Sequence, residues 1–264
     1  MNGAAHLQPL LPHGRPALGA FGLAGYPTTD TARAALVAYA DAGADLIEVG
    51  IATNSAPWMD GPDIALAHRQ VSDGVTVALD TIQHLALSTR VPVVAMAYWA
   101  SAMAYGPRQL ARDLATAGAR GILVPDVPYE LAEIWAAIGH DTGLHIPLLA
   151  GQDLSPAMRT RVAQAASGLV YLPAAPRTGH RGAIDFGRLR EHAAQCRKAA
   201  PDLPVAAGVG LSTPALAAAA VHDAGVDAVI IGSPLLRTLA GPNGLTDARQ
   251  LAASYARAIQ RNTP

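Results

Sequence analysis

A chain of 264 residues, 51% of them hydrophobic, is long enough to bury one large core. Nineteen basic against twenty acidic residues leave a formal charge of −1, which gives no electrostatic reason to expect nucleic acid or an anionic membrane as partner. The single cysteine, Cys196, excludes an intrachain disulfide and suits a reducing compartment.

The first 16 residues read as an N-terminal extension. Pro9, Pro12 and Pro16 interrupt the apolar core that a signal peptide needs, and nowhere does a run approach the roughly 18 apolar residues of a membrane span. The chain is expected to be soluble and cytoplasmic.

A first strand is predicted over Leu18–Leu23 and a helix over Thr31–Ala42. The segment "AGADLIEVG" (42–50) then turns at Ala-Gly and enters a strand over Asp45–Ile51. The same theme returns in "AGARGILVPD" (117–126) and "AGVDAVIIGS" (224–233), each time as helix, glycine turn and buried parallel strand. In the second strand, alternation puts Leu46, Glu48 and Gly50 on one face and Ile47, Val49 and Ile51 on the other. The branched residues suit a helix-packed face, so Glu48 points inward, where lost hydration raises its pKa and fits it for proton transfer. The plain alternative is a structural glutamate paired with an arginine, yet no arginine falls at a predicted inner strand end. Asp60, in "MDGP", either starts a turn and caps the next helix or belongs with Glu48 through their shared loop.

Two helical patterns follow, Asp63–Ser72 and Val75–Ser88, split by Gly74. Further strands are predicted over Val91–Ala97, Gly121–Pro125, His145–Leu149, Leu169–Leu172, Pro204–Ala207 and Ala228–Ile231. Helices lie between them at Pro107–Ala117, Ser155–Ala166, Asp185–Ala200 and Ser212–Ala224. Eight βα alternations without a linker point to a single (β/α)₈ barrel domain spanning residues 1–264 rather than an open doubly wound sheet. Cys196 falls in a helix-like stretch and reads as a structural thiol.

In such a barrel the functional groups gather at the carboxyl ends of the strands. "AGVGLSTP" (207–214) and "IGSPLL" (231–236) each put glycines between a strand and a helix start, with Ser212 and Ser233 as candidate caps. Exposed backbone N–H groups there suit a phosphorylated ligand. The only lysine, Lys198, lies in a polar helix, which argues against a Schiff-base aldolase. Of nine histidines, only His180 falls in a predicted top loop, so no metal-ligand pair is formed. No dinucleotide fingerprint is present. Acid–base chemistry on a small phosphate ester, without cofactor or metal, is the remaining reading.

The motifs "DAGADLIEVG", "MDGP", "AYW", "VPDVP", "RTG", "GVG" and "IGS" stand in this order between Phe21 and Ser233, and by them the chain resembles the tryptophan synthase alpha chain family. That resemblance implies a (β/α)₈ lyase that splits indole-3-glycerol phosphate into indole and glyceraldehyde 3-phosphate. It implies Glu48 as the general acid/base at the indole C3 and the glycerol hydroxyl, and Asp60 as the group that stabilises charge on the ring nitrogen. Phe21, Met96, Tyr98, Asp126, Tyr171 and Thr178 match positions that line the indole pocket or orient the catalytic groups. Gly179, Gly210, Gly232 and Ser233 match the phosphate cradle.

The chain departs from the family at three loops. After Glu48 the usual Pro-aromatic-Ser-Asp-Pro run is replaced by Ala52-Thr53-Asn54-Ser55-Ala56-Pro57, with one residue extra before Asp60. Ala100 stands where the family has Asn, and the loop from Tyr171 to Thr178 is one residue shorter and carries Pro173 and Pro176. The first two places face the beta chain in the family, and the third is a lid. Four readings stay open: a stand-alone indole-forming lyase whose contact with a beta chain is weakened or lost, the alpha subunit of a tryptophan synthase complex active mainly or only with its beta chain, a regulatory subunit of low activity, and a barrel enzyme for another phosphorylated substrate.

Overall fold

The computed structural model describes residues 7–54, 61–178, 180 and 182–260. Eight parallel strands lie among them, and each is followed by at least one helix. The strands are β1 (Ala17–Leu23), β2 (Leu46–Gly50), β3 (Val93–Met96), β4 (Gly121–Leu123), β5 (Leu148–Leu149), β6 (Val170–Pro173), β7 (Val205–Gly208) and β8 (Ala228–Ile231). The longer helices are α1 (Thr29–Asp41), α2 (Pro62–Arg69), α3 (Gly74–Ser88), α5 (Pro107–Ala117), α6 (Ala132–Thr142), α7 (Pro156–Ala165), α8 (Phe186–Ala199), α9 (Pro214–His222) and α11 (Gly244–Gln260). Two short ones, α4 (Trp99–Tyr105) and α10 (Ser233–Leu239), span under two turns, too few for a 3.6-residue period to register in the sequence.

Strands pair in the order β4-β3-β2-β1-β8-β7-β6-β5, so the first strand pairs with the last. The remaining seam, between β4 and β5, closes through a parallel bridge of Gly121 to His145, with Ile122 donating to the His145 carbonyl at 3.0 Å. The fifth strand is shorter than the expected His145–Leu149. Pro147 has no N–H for the ladder, and the Ile146 N–H goes instead to the Ser167 hydroxyl at 2.7 Å.

The period-2 alternation sorts the apolar residues into two cores. Ile47, Val49 and Ile51 pack outward with the helices, while Leu46 packs inside the barrel with Phe21, Val94, Met96 and Ile230. The Ala-Gly turns before the repeated strands hold Gly43, Gly118 and Gly225 at φ of +103°, +98° and +70°, a left-handed region that glycine enters without cost. In two of the three repeats the next-but-one residue is an aspartate at the strand's foot. Asp45 accepts the Leu18 N–H at 3.1 Å and Asp227 accepts the Val205 N–H at 2.8 Å, each tying its strand to a neighbour.

The N-terminal segment also belongs to the barrel floor. Leu10 and Leu11 are buried in the inner core, and the Gln8 carbonyl lies 3.0 Å from His145 Nε2. Among the described residues no helix is long and apolar enough to cross a membrane.

Candidate active site

Glu48 sits in the middle of β2, in register with Phe21 of β1 and Val94 of β3. Its side chain enters the barrel, is 5% exposed, and has no cation in contact among the described residues. Burial alone pushes the carboxyl from 4.5 up to about 8. Among the described residues no arginine pairs with Glu48. Across the barrel, Tyr171 is also buried, and desolvation together with the Glu48 charge drives its phenol well above the ordinary value.

Glycines at strand ends make room for these rings. A Cβ on Gly50 would stand 2.7 Å from Phe21 Cζ, and one on Gly208 would overlap the Tyr171 hydroxyl. Phe21, Met96, Tyr98 and Tyr171 line one pocket with Glu48, and Leu123, Leu149 and Ile230 complete its apolar wall. Those last three had a signal in the sequence, since inner-face alternation marks them as it marks Glu48.

Asp126 does not line the pocket. Its carboxylate accepts the Trp99 N–H at 2.7 Å and so fixes the start of α4, directly after Tyr98. Sequence reasoning missed His68, which lies buried on α2 beside the Tyr98 ring at 6.0 Å. Its Nδ1 accepts the Thr53 N–H at 3.1 Å, and burial lowers its pKa to about 4, so the acceptor stays unprotonated. The contact anchors the chain leaving β2. A lone histidine on a helix face carries no sequence signal for this. Cys196 is buried in α8 with its thiol pushed up to about 11, consistent with a structural role.

The mouth of the pocket is built by the loops after β7 and β8, where Gly210, Ser212, Gly232 and Ser233 line it. Neither serine caps a helix. The cap of α9 is Thr213, whose hydroxyl accepts the Leu216 N–H at 3.2 Å, and that of α10 is Gly232. Pro214 opens α9, which sets its cap one residue after Ser212, and Ser233 is already the first residue of α10. Val209 and Gly210 both have left-handed φ, +55° and +95°. Such a conformation is strained for valine and marks a loop whose shape its surroundings impose.

The loop after β6 closes over the same mouth. Ala174 and Ala175 donate to the Gly208 and Val209 carbonyls at 2.8 and 3.0 Å, and Gln152 donates to the Pro173 carbonyl at 3.0 Å. Farther out, the Gly61 N–H donates to the Thr178 hydroxyl, joining this loop to the start of α2. Thr178 and His180 line the pocket. Asp60 and Gly179 lie outside the described residues, as does Trp58.

A (β/α)₈ barrel with a desolvated carboxyl at the base of an apolar pocket and glycine loops at its mouth has the make-up of an enzyme site for a small molecule. The family model for the tryptophan synthase alpha chain matches residues 7–262. The chain is 32% identical to the tryptophan synthase alpha chain of Streptomyces avermitilis over 255 residues, covering 94% of this chain and 90% of that one. It is 36% identical to that of Salinispora tropica over 254 residues, covering 91% of each. Its fold superposes on a chain of Mycobacterium tuberculosis tryptophan synthase with a TM-score of 0.83, at 30% identity and 94% coverage of both. The chain belongs to the tryptophan synthase alpha chain family, and with it to the carbon–carbon lyases.

Proposed function

We propose that this chain cleaves indole-3-glycerol phosphate to indole and glyceraldehyde 3-phosphate, and that it does so without waiting for a beta chain. The observation that carries the chemistry is the Glu48 carboxyl, buried with no counter-ion among the described residues and protonated up to about pH 8. A neutral acid donates its proton to indole C3 and so turns the ring into an electron sink. The Glu48 carboxylate left behind takes the proton of the glycerol hydroxyl, the C–C bond breaks, and its electron pair restores the ring. The aldehyde and indole leave with Glu48 protonated again. Asp60, by resemblance, carries the counter-charge for the ring nitrogen while the ring is cationic. The single buried cysteine agrees with a cytoplasmic enzyme.

Independence from a partner is supported by the bonds that hold the lid within the chain: Ala174 to the last residue of β7, Ala175 to the residue after it, and Thr178 to Gly61. In the second reading the chain is the alpha subunit of a complex. It is favoured by Met103 and Tyr105, apolar side chains exposed on α4, beside the segment after β2 that α4 holds through Ser101 and Thr53 hydroxyls 3.1 Å apart. Assay of the purified chain on indole-3-glycerol phosphate, with and without a beta chain, separates the two.

Two further results are expected. The cleavage rate should fall as pH rises through about 8, because the acid that protonates C3 is lost there. A rate that instead climbs steadily to pH 9 in single-turnover experiments rules out a neutral Glu48 as proton donor. Gly232→Val should raise both KM for the substrate and Kd for indole by about tenfold, as the price of one badly packed side chain is of order 1–3 kcal/mol. An added Cβ stands only 3.2 Å from the Phe21 ring, so even free indole must feel it. Unchanged indole affinity removes the aromatic end of the substrate from this wall.

A further inference from the structure

The phosphate-binding reading above leaves one charged side chain at the mouth unused. Arg237 lines the pocket, and among its described residues it is the only group with a permanent positive charge. It stands four positions after Ser233 on α10, so both lie on one face of that helix. Side chains on a helix lean toward its N-terminus, which for the Arg237 guanidinium is the end that carries Gly232 and Ser233. There it meets α2: Nη2 and Nε both donate to Asp63 Oδ2, at 2.8 and 2.9 Å. Both side chains remain about half exposed, 58% and 45%.

An exposed pair that shares one carboxylate oxygen is a weak anchor, easily given up for a better acceptor. A phosphate dianion at the loops after β7 and β8 is such an acceptor, with twice the charge of Asp63 and oxygens spaced for the guanidinium fork. We propose that Arg237 is a further substrate-binding residue, which exchanges its contact with Asp63 for one with the phosphate of the bound ligand. The transfer breaks no covalent bond and moves no proton. This inference rests on a phosphorylated ligand occupying the pocket.

Calorimetric titration of the purified chain with glycerol 3-phosphate, inorganic phosphate and, as the ligand without phosphate, indole tests it. R237Q should weaken glycerol 3-phosphate and inorganic phosphate about thirtyfold, within the range of a charge-assisted hydrogen bond. Indole affinity should stay within about twofold, which also reports that the barrel is intact. R237K, a point charge without the fork, should fall between wild type and R237Q. D63N should bind both phosphates at least as tightly as wild type, because it frees the guanidinium from its competitor.

Phosphate affinity unchanged in R237Q overturns the proposal. So does an equal loss in R237Q and D63N, which is the behaviour of a pair that merely staples α2 to α10. Should wild type itself bind indole but neither phosphate, the phosphate reading of the mouth fails and takes this inference with it.

Discussion

Glu48→Gln is expected to lower kcat for indole-3-glycerol phosphate cleavage by at least about 10³-fold, near the middle of what a positioned acid/base supplies. The amide keeps the volume and a polar end but has no proton to give to C3 and no carboxylate to receive the hydroxyl proton. Substrate and indole affinities should change by less than about threefold, since the walls and mouth of the pocket are untouched. The same variant has a thermodynamic signature. In the folded chain Glu48 holds its proton up to about pH 8, whereas its ordinary value is 4.5. Between those values the folded state binds a proton that the unfolded state has released, so wild-type stability falls as pH rises across that window. The substituted amide does not titrate. E48Q should therefore be more stable than wild type at pH 8, on the order of a few kcal/mol, and equal to it near pH 4. Denaturant unfolding at the two pH values measures this. A Gln variant that turns over substrate within tenfold of wild type, or that shows no pH-dependent gain in stability, removes Glu48 from the acid–base role.

The second large effect concerns the partner. The isolated chain is expected to turn over substrate at a rate that a beta chain raises by less than about fivefold. Lid closure normally limits or gates such sites, because water must be excluded while the ring is protonated. Here the lid's base is part of the barrel's own hydrogen bonding, through Ala174, Ala175 and the Pro173 carbonyl, and its outer part is bonded to Gly61 through Thr178. Pro173 and Pro176 lower the entropy that the loop loses on closing. A steady-state assay with increasing beta chain decides the matter. Activation of a hundredfold or more from a negligible starting rate would establish the complex as the working enzyme, with Met103 and Tyr105 on α4 as the first residues to mutate at the contact. Thr178→Val is the complementary variant: it removes the acceptor of the Gly61 N–H and should lower kcat of the isolated chain about tenfold, the loss expected for one buried unpaired donor.

Much of the architecture was legible in the chain because its signals are local. Three Ala-Gly turns require left-handed glycine, and each is followed by a short apolar run that only a buried parallel strand accommodates. Strict alternation around Glu48 told which way it points, and the same rule applies unchanged to Leu123, Leu149 and Ile230. Two helices were placed to begin at Ser155 and Asp185, and those residues cap α7 and α8. The candidate caps were Ser212 and Ser233, and these were misread. There the sequence offers two candidates in a row, and the position of a proline relative to the helix start decides between them.

The sequence by itself determined the barrel, the inward carboxylate and the small residues at the pocket mouth, since each follows from periodicity or from a conformation only one residue type takes cheaply. Only the tertiary structure decided what those groups meet. The rise of Glu48 to about 8 depends on what surrounds it on every side, contributed by strands far apart in the chain. The placement of Asp126 behind Tyr98 rather than in the pocket depends on how α4 starts against β4. The anchoring of the β2 exit by His68, and the pairing of Asp63 with Arg237 across 174 positions, depend on how α2 and α10 lie over the mouth. Desolvation and ion pairing act through space, and distance in space between remote segments is fixed by the packing of the whole barrel, which no local pattern encodes.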